Sequence, residues 1–154
     1  MHTLHRNRHH INLRIERWHR RVIYAVLSLL ALSGAAWLVA RFAMRPVGQF
    51  GETVHPLEPL AMKVHGGAAM VTLFFVGSLM NAHIRRAIKA KRNLAAGWSV
   101  VVAMLTLIVS GYALYYVASE ESRPIWSATH WILGLAGAML FVVHVIMGRR
   151  LRPA

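Results

Sequence analysis

Four apolar runs, each long enough to cross a bilayer, leave this chain little choice of fold. They are VIYAVLSLLALSGAAWLVARFA at 22–43, VHGGAAMVTLFFVGSLMNAH at 64–83, GWSVVVAMLTLIVSGYALYYVA at 97–118, and a run at 127–148 that opens SATHWILGLAGAMLFVVH. A helix needs about 20 residues to cross about 30 Å of hydrocarbon, and in lipid it satisfies its own backbone groups. The expected fold is therefore all-α: an integral membrane, four-helix transmembrane bundle over residues 21–150. Residues 1–20 are expected to be a basic tail. In a chain of 154 residues this leaves no room for a separate soluble domain. The first run follows an Arg-rich stretch and has no small-residue cleavage site, so it reads as a retained helix and not a signal peptide.

Charge placement gives the expected orientation. The chain has 18 Lys and Arg against 5 acidic residues, a net charge of +13. Arg6, Arg8, Arg14, Arg17, Arg20 and Arg21 lie before the first run. Arg85, Arg86, Lys89, Lys91 and Arg92 lie between the second and third, and Arg149, Arg150 and Arg152 follow the fourth. Those fourteen share one face of a four-span topology, while Glu52, Glu58, Glu120 and Glu121 fall in the two opposite loops. This is the positive-inside pattern, so both termini are expected to be cytoplasmic. Sorting of this kind points to anionic lipid headgroups as partners and not to nucleic acid. Trp126, Trp131, Tyr112, Tyr115 and Tyr116 form an interfacial aromatic belt at the outer end. Pro46, Pro56 and Pro59 argue for a non-helical outer loop over 44–63. The chain contains no cysteine, which excludes disulfides, iron–sulfur clusters and covalent c-type haem attachment. No internal repeat stands out.

Histidines carry the functional signal. His2, His5, His9 and His10 sit in the tail and read as a solvated juxtamembrane segment, with a metal-binding tract as the alternative. The remaining six are His19, His55, His65, His83, His130 and His144. Ionisable residues within a membrane are costly and usually functional. His130 and His144 are fourteen residues apart, an advance of about 1400°, so they share a face about 21 Å apart along the axis. His65 and His83 are eighteen residues apart, five whole α-helical turns and about 27 Å. Because the spans are antiparallel, His65 meets the level of His130 and His83 that of His144.

Two imidazoles at one level on facing helices suit the two axial positions of a haem iron. Gly66, Gly67, Ala68, Gly134 and Gly137 would let the macrocycle approach closely. The expected ligands are therefore His65 with His130 at the outer centre and His83 with His144 at the inner one. His19, at the cytoplasmic start of the first span, is the alternative to His83. Two such centres would lie about 20 Å apart on the helical rise. His55 reads as a loop residue, with proton exchange at an outer quinol site as the alternative. Met80 reads as packing. Arg85, Arg86, Arg149 and Lys63 are candidates to pair with haem propionates.

The stretches HRRVIYAVLSLLALSG, VHGG, LIVSGYALYY and the H-x13-H pair of the last span resemble the bacterial cytochrome b561 family and related di-haem membrane subunits of hydrogenases and formate dehydrogenases. The resemblance covers most of residues 17–150. It implies a four-helix bundle with b-type haem, placed in the bacterial inner membrane and exchanging electrons with quinone or a redox partner protein. By that likeness His65, His130 and His144 match outer, outer and inner ligands. The family pattern often places a histidine where His19 stands, whereas His83 is a departure from it.

The expected function is thus electron transfer between the quinone pool and a partner through two haems b. The alternatives are a haem-free, histidine-lined proton or metal transporter, and a scaffolding subunit of a larger redox complex. Beyond Glu52, His55 and Glu58 in the outer loop, no acid–base constellation marks direct catalysis.

Overall fold

A computed structural model describes residues 15–91 and 94–150; the histidines of the far N-terminal tail lie outside them. The fold is all-helical apart from one short hairpin. Helix α1 spans Arg17–Ala43, strands β1 and β2 span Val47–Gly48 and Gly51–Glu52, and α2 spans Leu57–Leu79. A π-helical turn, Met80–Ile84, joins α2 to α3 (Arg85–Ala90), which ends at Lys91 in the left-handed conformation. Helices α4 (Leu94–Tyr116) and α5 (Arg123–Arg150) complete the chain. Four of these helices are long and apolar enough to cross a membrane: α1, α2, α4 and α5. The start of α1 and the end of α5 lie at one end of the bundle, here called proximal; the loops before α2 and α5 lie at the other, here called distal.

The helices start earlier than the apolar runs do. Helix α1 opens at Arg17, inside the expected tail, because Trp18, His19, Arg20 and Arg21 include no helix breaker. Helix α2 opens at Leu57, which corrects the expected loop over 44–63. Pro59 falls in its first turn, where a backbone N–H has no intrahelical partner to lose. Pro124 is accommodated the same way in the first turn of α5. The β1–β2 pair, with Gly51 at φ 105°, was not legible as a strand pattern because each strand is only two residues long.

Helix α1 packs along α2, and α4 along α5, so the bundle consists of two helical hairpins. Small residues line the first interface: Ser33 and Ala40 on α1 are buried with Ala61, Ala68 and Thr72 on α2. Such residues let helix backbones approach where no hydrophobic effect separates protein from lipid. In the second hairpin Ser110 and Ala113 are buried, and Leu107 seats against Gly134 and Gly137. Gly134 and Gly137, expected beside a macrocycle, therefore serve the α4–α5 contact. The hairpins meet through α1 and α5, where Tyr24 and Phe141 stack edge-on at 6.0 Å. Large apolar side chains point outward instead: Phe42, Met70, Phe74 and Met139 are each at least 70% exposed. That inverted distribution suits a surface bathed in lipid.

Glu58, placed by sequence in the distal loop, is instead buried in the first turn of α2. Arg45 clamps it from two sides, Nε to Oε1 at 3.0 Å and Nη2 to Oε2 at 3.3 Å, with Arg41 Nη1 at 3.8 Å. A fork of this kind ties the end of α1 to the start of α2. Replacing Arg45 with methionine strands a buried carboxylate that only Arg41 can still reach. The expected loss is about 2 kcal/mol in unfolding free energy, measured by denaturation in detergent. An unchanged midpoint would mean that the clamp contributes nothing.

Candidate functional site

The four membrane histidines meet in two pairs across the space between α2 and α5. At the distal level the His65 and His130 ring centroids are 6.3 Å apart, with planes at 84°. At the proximal level His83 and His144 are also 6.3 Å apart, with planes at 87°. The pairs join the two hairpins at levels where α2 and α5 hold no close backbone packing.

That separation is chemically specific. An imidazole ring has a radius of about 1.2 Å, so rings 6.3 Å apart bring no ring atoms closer than about 3.9 Å. Such rings cannot hydrogen-bond to each other. Two metal–imidazole bonds of about 2.0 Å each fill the same span.

Hydrogen bonds behind the distal rings fix which nitrogen is available. His65 Nδ1 lies 3.0 Å from the Leu30 carbonyl oxygen, which can only accept, so Nδ1 carries the proton and Nε2 the lone pair. Ser33 Oγ is also 3.2 Å from Nδ1, while its own proton goes to Leu30 O at 3.0 Å. On the other hairpin, Ser110 Oγ lies 2.9 Å from His130 Nδ1 and 3.2 Å from Leu107 O, so with its proton on that carbonyl it accepts from Nδ1. Both distal histidines thus engage Nδ1 behind the ring and leave Nε2 as the nitrogen that could coordinate a metal.

Glycines make room for the rings. A Cβ on Gly34 would lie 3.3 Å from His65 Cε1, one on Gly111 3.2 Å from His130 Cε1, and one on Gly97 3.9 Å from His144 Cε1. Behind His130, then, stands the run Leu107-x-x-Ser110-Gly111, and behind His65 the matching run Leu30-x-x-Ser33-Gly34. The two hairpins are therefore built on one local plan, a repeat not recognised from sequence although both runs stand in it. A search for five-residue words shared by the first and third spans would have found it.

The proximal pair is held differently. His144 Nδ1 is buried beside the backbone of Ala96. His83 sits within the π turn and makes further contacts of its own. Five whole α-turns from His65 therefore do not describe the path to His83. The π turn takes up one extra residue, shortening the rise by about 1.5 Å toward that of the α5 pair.

The other candidates lie elsewhere. His19 Nε2 is 2.9 Å from Ser78 Oγ, and its ring stacks on Trp18 and lies against Phe75, away from His144. His55 Nδ1 accepts the Leu57 N–H at 3.2 Å, and its carbonyl accepts from Glu58 N–H, so it caps the start of α2. Met80 is 46% exposed. Gly66 and Gly67 face open space. Lys63, Arg85, Arg86 and Arg149 are exposed near the two levels, Lys63 at the distal one and the arginines at the proximal one.

The residues fit haem. Each level brings two imidazoles face to face across one span, and such a pair would hold a haem iron between its ring nitrogens. A structural zinc ion would instead call for about four protein ligands. No protein-family model matches this chain, and no curated protein or solved structure proves similar to it.

Proposed function

We propose that this chain is a membrane-embedded b-type cytochrome that carries two bis-histidine haems b. It passes electrons between a membrane quinone pool and a redox partner protein. The observation that carries the reading is the pair of equal 6.3 Å imidazole separations, one at each level of the bundle. The charge asymmetry supports a cytoplasmic side for both termini, and the resemblance to cytochrome b561 proteins supports a bacterial inner membrane.

His65 and His130 hold the distal group, and His83 and His144 the proximal one, each through an imidazole nitrogen. When bound, haem supplies reversible one-electron chemistry in a low-dielectric sheath. Leu30, Ser33 and Ser110 orient the distal rings and keep their Nδ1 protons in place. Lys63 at one level, and Arg85, Arg86 and Arg149 at the other, are the cations that would pair with propionates.

The test is the haem-to-protein ratio of the purified full chain from haem-replete cells, with a reduced-minus-oxidised spectrum. A ratio near two with b-type bands is expected. A ratio near one removes one level, and the histidine variants show which. A ratio of zero ends the reading in favour of a haem-free transporter or scaffolding subunit.

A further inference from the structure

The two-haem scheme leaves two histidines beside the spans without a part in it. His55 is spent on the start of α2, where its Nδ1 accepts the Leu57 N–H. His19 lies at the proximal end, against Ser78 of α2. Ser78 Oγ is 2.7 Å from the Phe75 carbonyl and 2.9 Å from His19 Nε2, so with its proton on that carbonyl it accepts from Nε2. In the neutral ring this leaves the lone pair on Nδ1, which has no hydrogen bond among the described residues.

Aromatic rings flank this imidazole. Trp18 stacks on it with centroids 5.3 Å apart, and Phe75 lies at 5.5 Å, tilted by 59°. Trp18 and Ser78 are exposed, and a Cβ on Gly77 would meet nothing within 4 Å. There is room beside the cluster for a flat ring arriving from the lipid.

We propose that His19, positioned by Ser78 and flanked by Trp18 and Phe75, binds a hydroxyl of a membrane quinol and takes its proton. This rests on the haem reading above.

A quinol is a flat apolar ring with a hydroxyl at each end, and it asks a protein for aromatic surface and a proton acceptor. A ring nitrogen offering a lone pair meets the second need; a phospholipid phosphate, with no proton to give, would not use it. Ser78 precedes His83 by five residues, about 7 Å along α2, against about 21 Å between the two histidine levels. A quinol held here meets the proximal centre first.

One quinol gives up two electrons, one to each of two ferric haems, and becomes the quinone. Each of its O–H bonds breaks in turn as the proton passes to Nδ1, which hands it to water at the proximal side. Between the two steps the imidazolium is stabilised through its Nε2–H, which Ser78 Oγ accepts. The products are one quinone, two ferrous haems and two protons in proximal water.

The experiment uses the purified full-length protein in detergent, with decylubiquinol as the probe. Stopped flow follows haem reduction. Calorimetry on protein already reduced with dithionite, where no electrons move, gives affinity. H19F keeps a ring between Trp18 and Phe75 but removes the lone pair. It is expected to retain two haems, to be reduced by decylubiquinol about a hundredfold more slowly and to bind it about tenfold more weakly. S78A is expected to slow reduction about tenfold with affinity unchanged, and S78T, which keeps the acceptor oxygen, to restore the wild-type rate. H55A behaves as wild type. A two-haem H19F protein with wild-type rate and affinity overturns the proposal, as does a wild type that decylubiquinol does not reduce; both leave the two-haem reading intact. An H19F protein with one haem overturns it too, by making His19 an axial ligand. If H19F does not accumulate, S78A decides alone, and an unchanged rate sinks the idea. A wild type without haem defeats the cytochrome reading itself, and equal affinities of that protein and H19F for decylubiquinol then sink the site as well.

Discussion

On the cytochrome reading, alanine in place of His130 is expected to halve the haem bound per chain, from two to one, with the bis-imidazole spectrum of the remaining centre retained. The reason is the separation of the two levels. His130 faces His65 across 6.3 Å, while His83 and His144 form their own pair about four turns away along α5. Removing one imidazole would leave His65 alone to hold the proposed distal group, while the proximal pair is untouched. Alanine at His83 is expected to have the mirror effect, losing the proximal centre. Alanine at His19 keeps both, because its Nε2 is engaged with Ser78 and its ring lies between Trp18 and Phe75. Pyridine haemochrome quantification on the three purified variants measures all of this. A two-haem H83A protein beside a one-haem H19A protein would reverse the assignment of the proximal ligand.

Leucine at Gly111 also empties the distal level, without touching a histidine. A Cβ there already falls 3.2 Å from His130 Cε1, inside ordinary van der Waals contact, and the larger side chain of leucine would crowd the ring further. His130 must swing away or α4 must separate from α5. Ser110, adjacent in the chain and bonded to the same ring, would lose its register at the same time. Alanine at Gly97 is the control. Its Cβ would lie 3.9 Å from His144 Cε1, an ordinary contact, so G97A retains two haems and near-native stability. Haem content and thermal denaturation in detergent check both variants. A G111L protein that binds two haems would show that the ring is not confined by the helix behind it.

The same contacts show how far the sequence reaches. Hydropathy and length identified four membrane-competent helices, because in hydrocarbon a chain has few other ways to satisfy its backbone. Their ends were less legible. Pro59 reads as a breaker in a sequence but belongs to the first turn of α2, where its missing N–H costs little. Glu58 reads as a loop acid because its partner Arg45 is thirteen residues away and the clamp exists only once α1 and α2 lie side by side.

Among the histidines, the fourteen-residue spacing within α5 needs only the regular 100° step of a helix, so it could be read directly. The eighteen-residue spacing to His83 crosses a π turn, which regular periodicity does not describe. Which imidazoles face each other is a property of the packed hairpins, as are the carbonyl and hydroxyls behind the distal rings. Leu30, Ser33 and Ser110 look like ordinary helix residues until another helix brings a histidine ring against them. The sequence determined that this chain is built for a bilayer and where its imidazoles lie along each helix, since both follow from local periodicity. The tertiary structure decided how closely the paired rings approach and which oxygens stand behind them, because contacts between helices depend on how small residues let those helices close on one another.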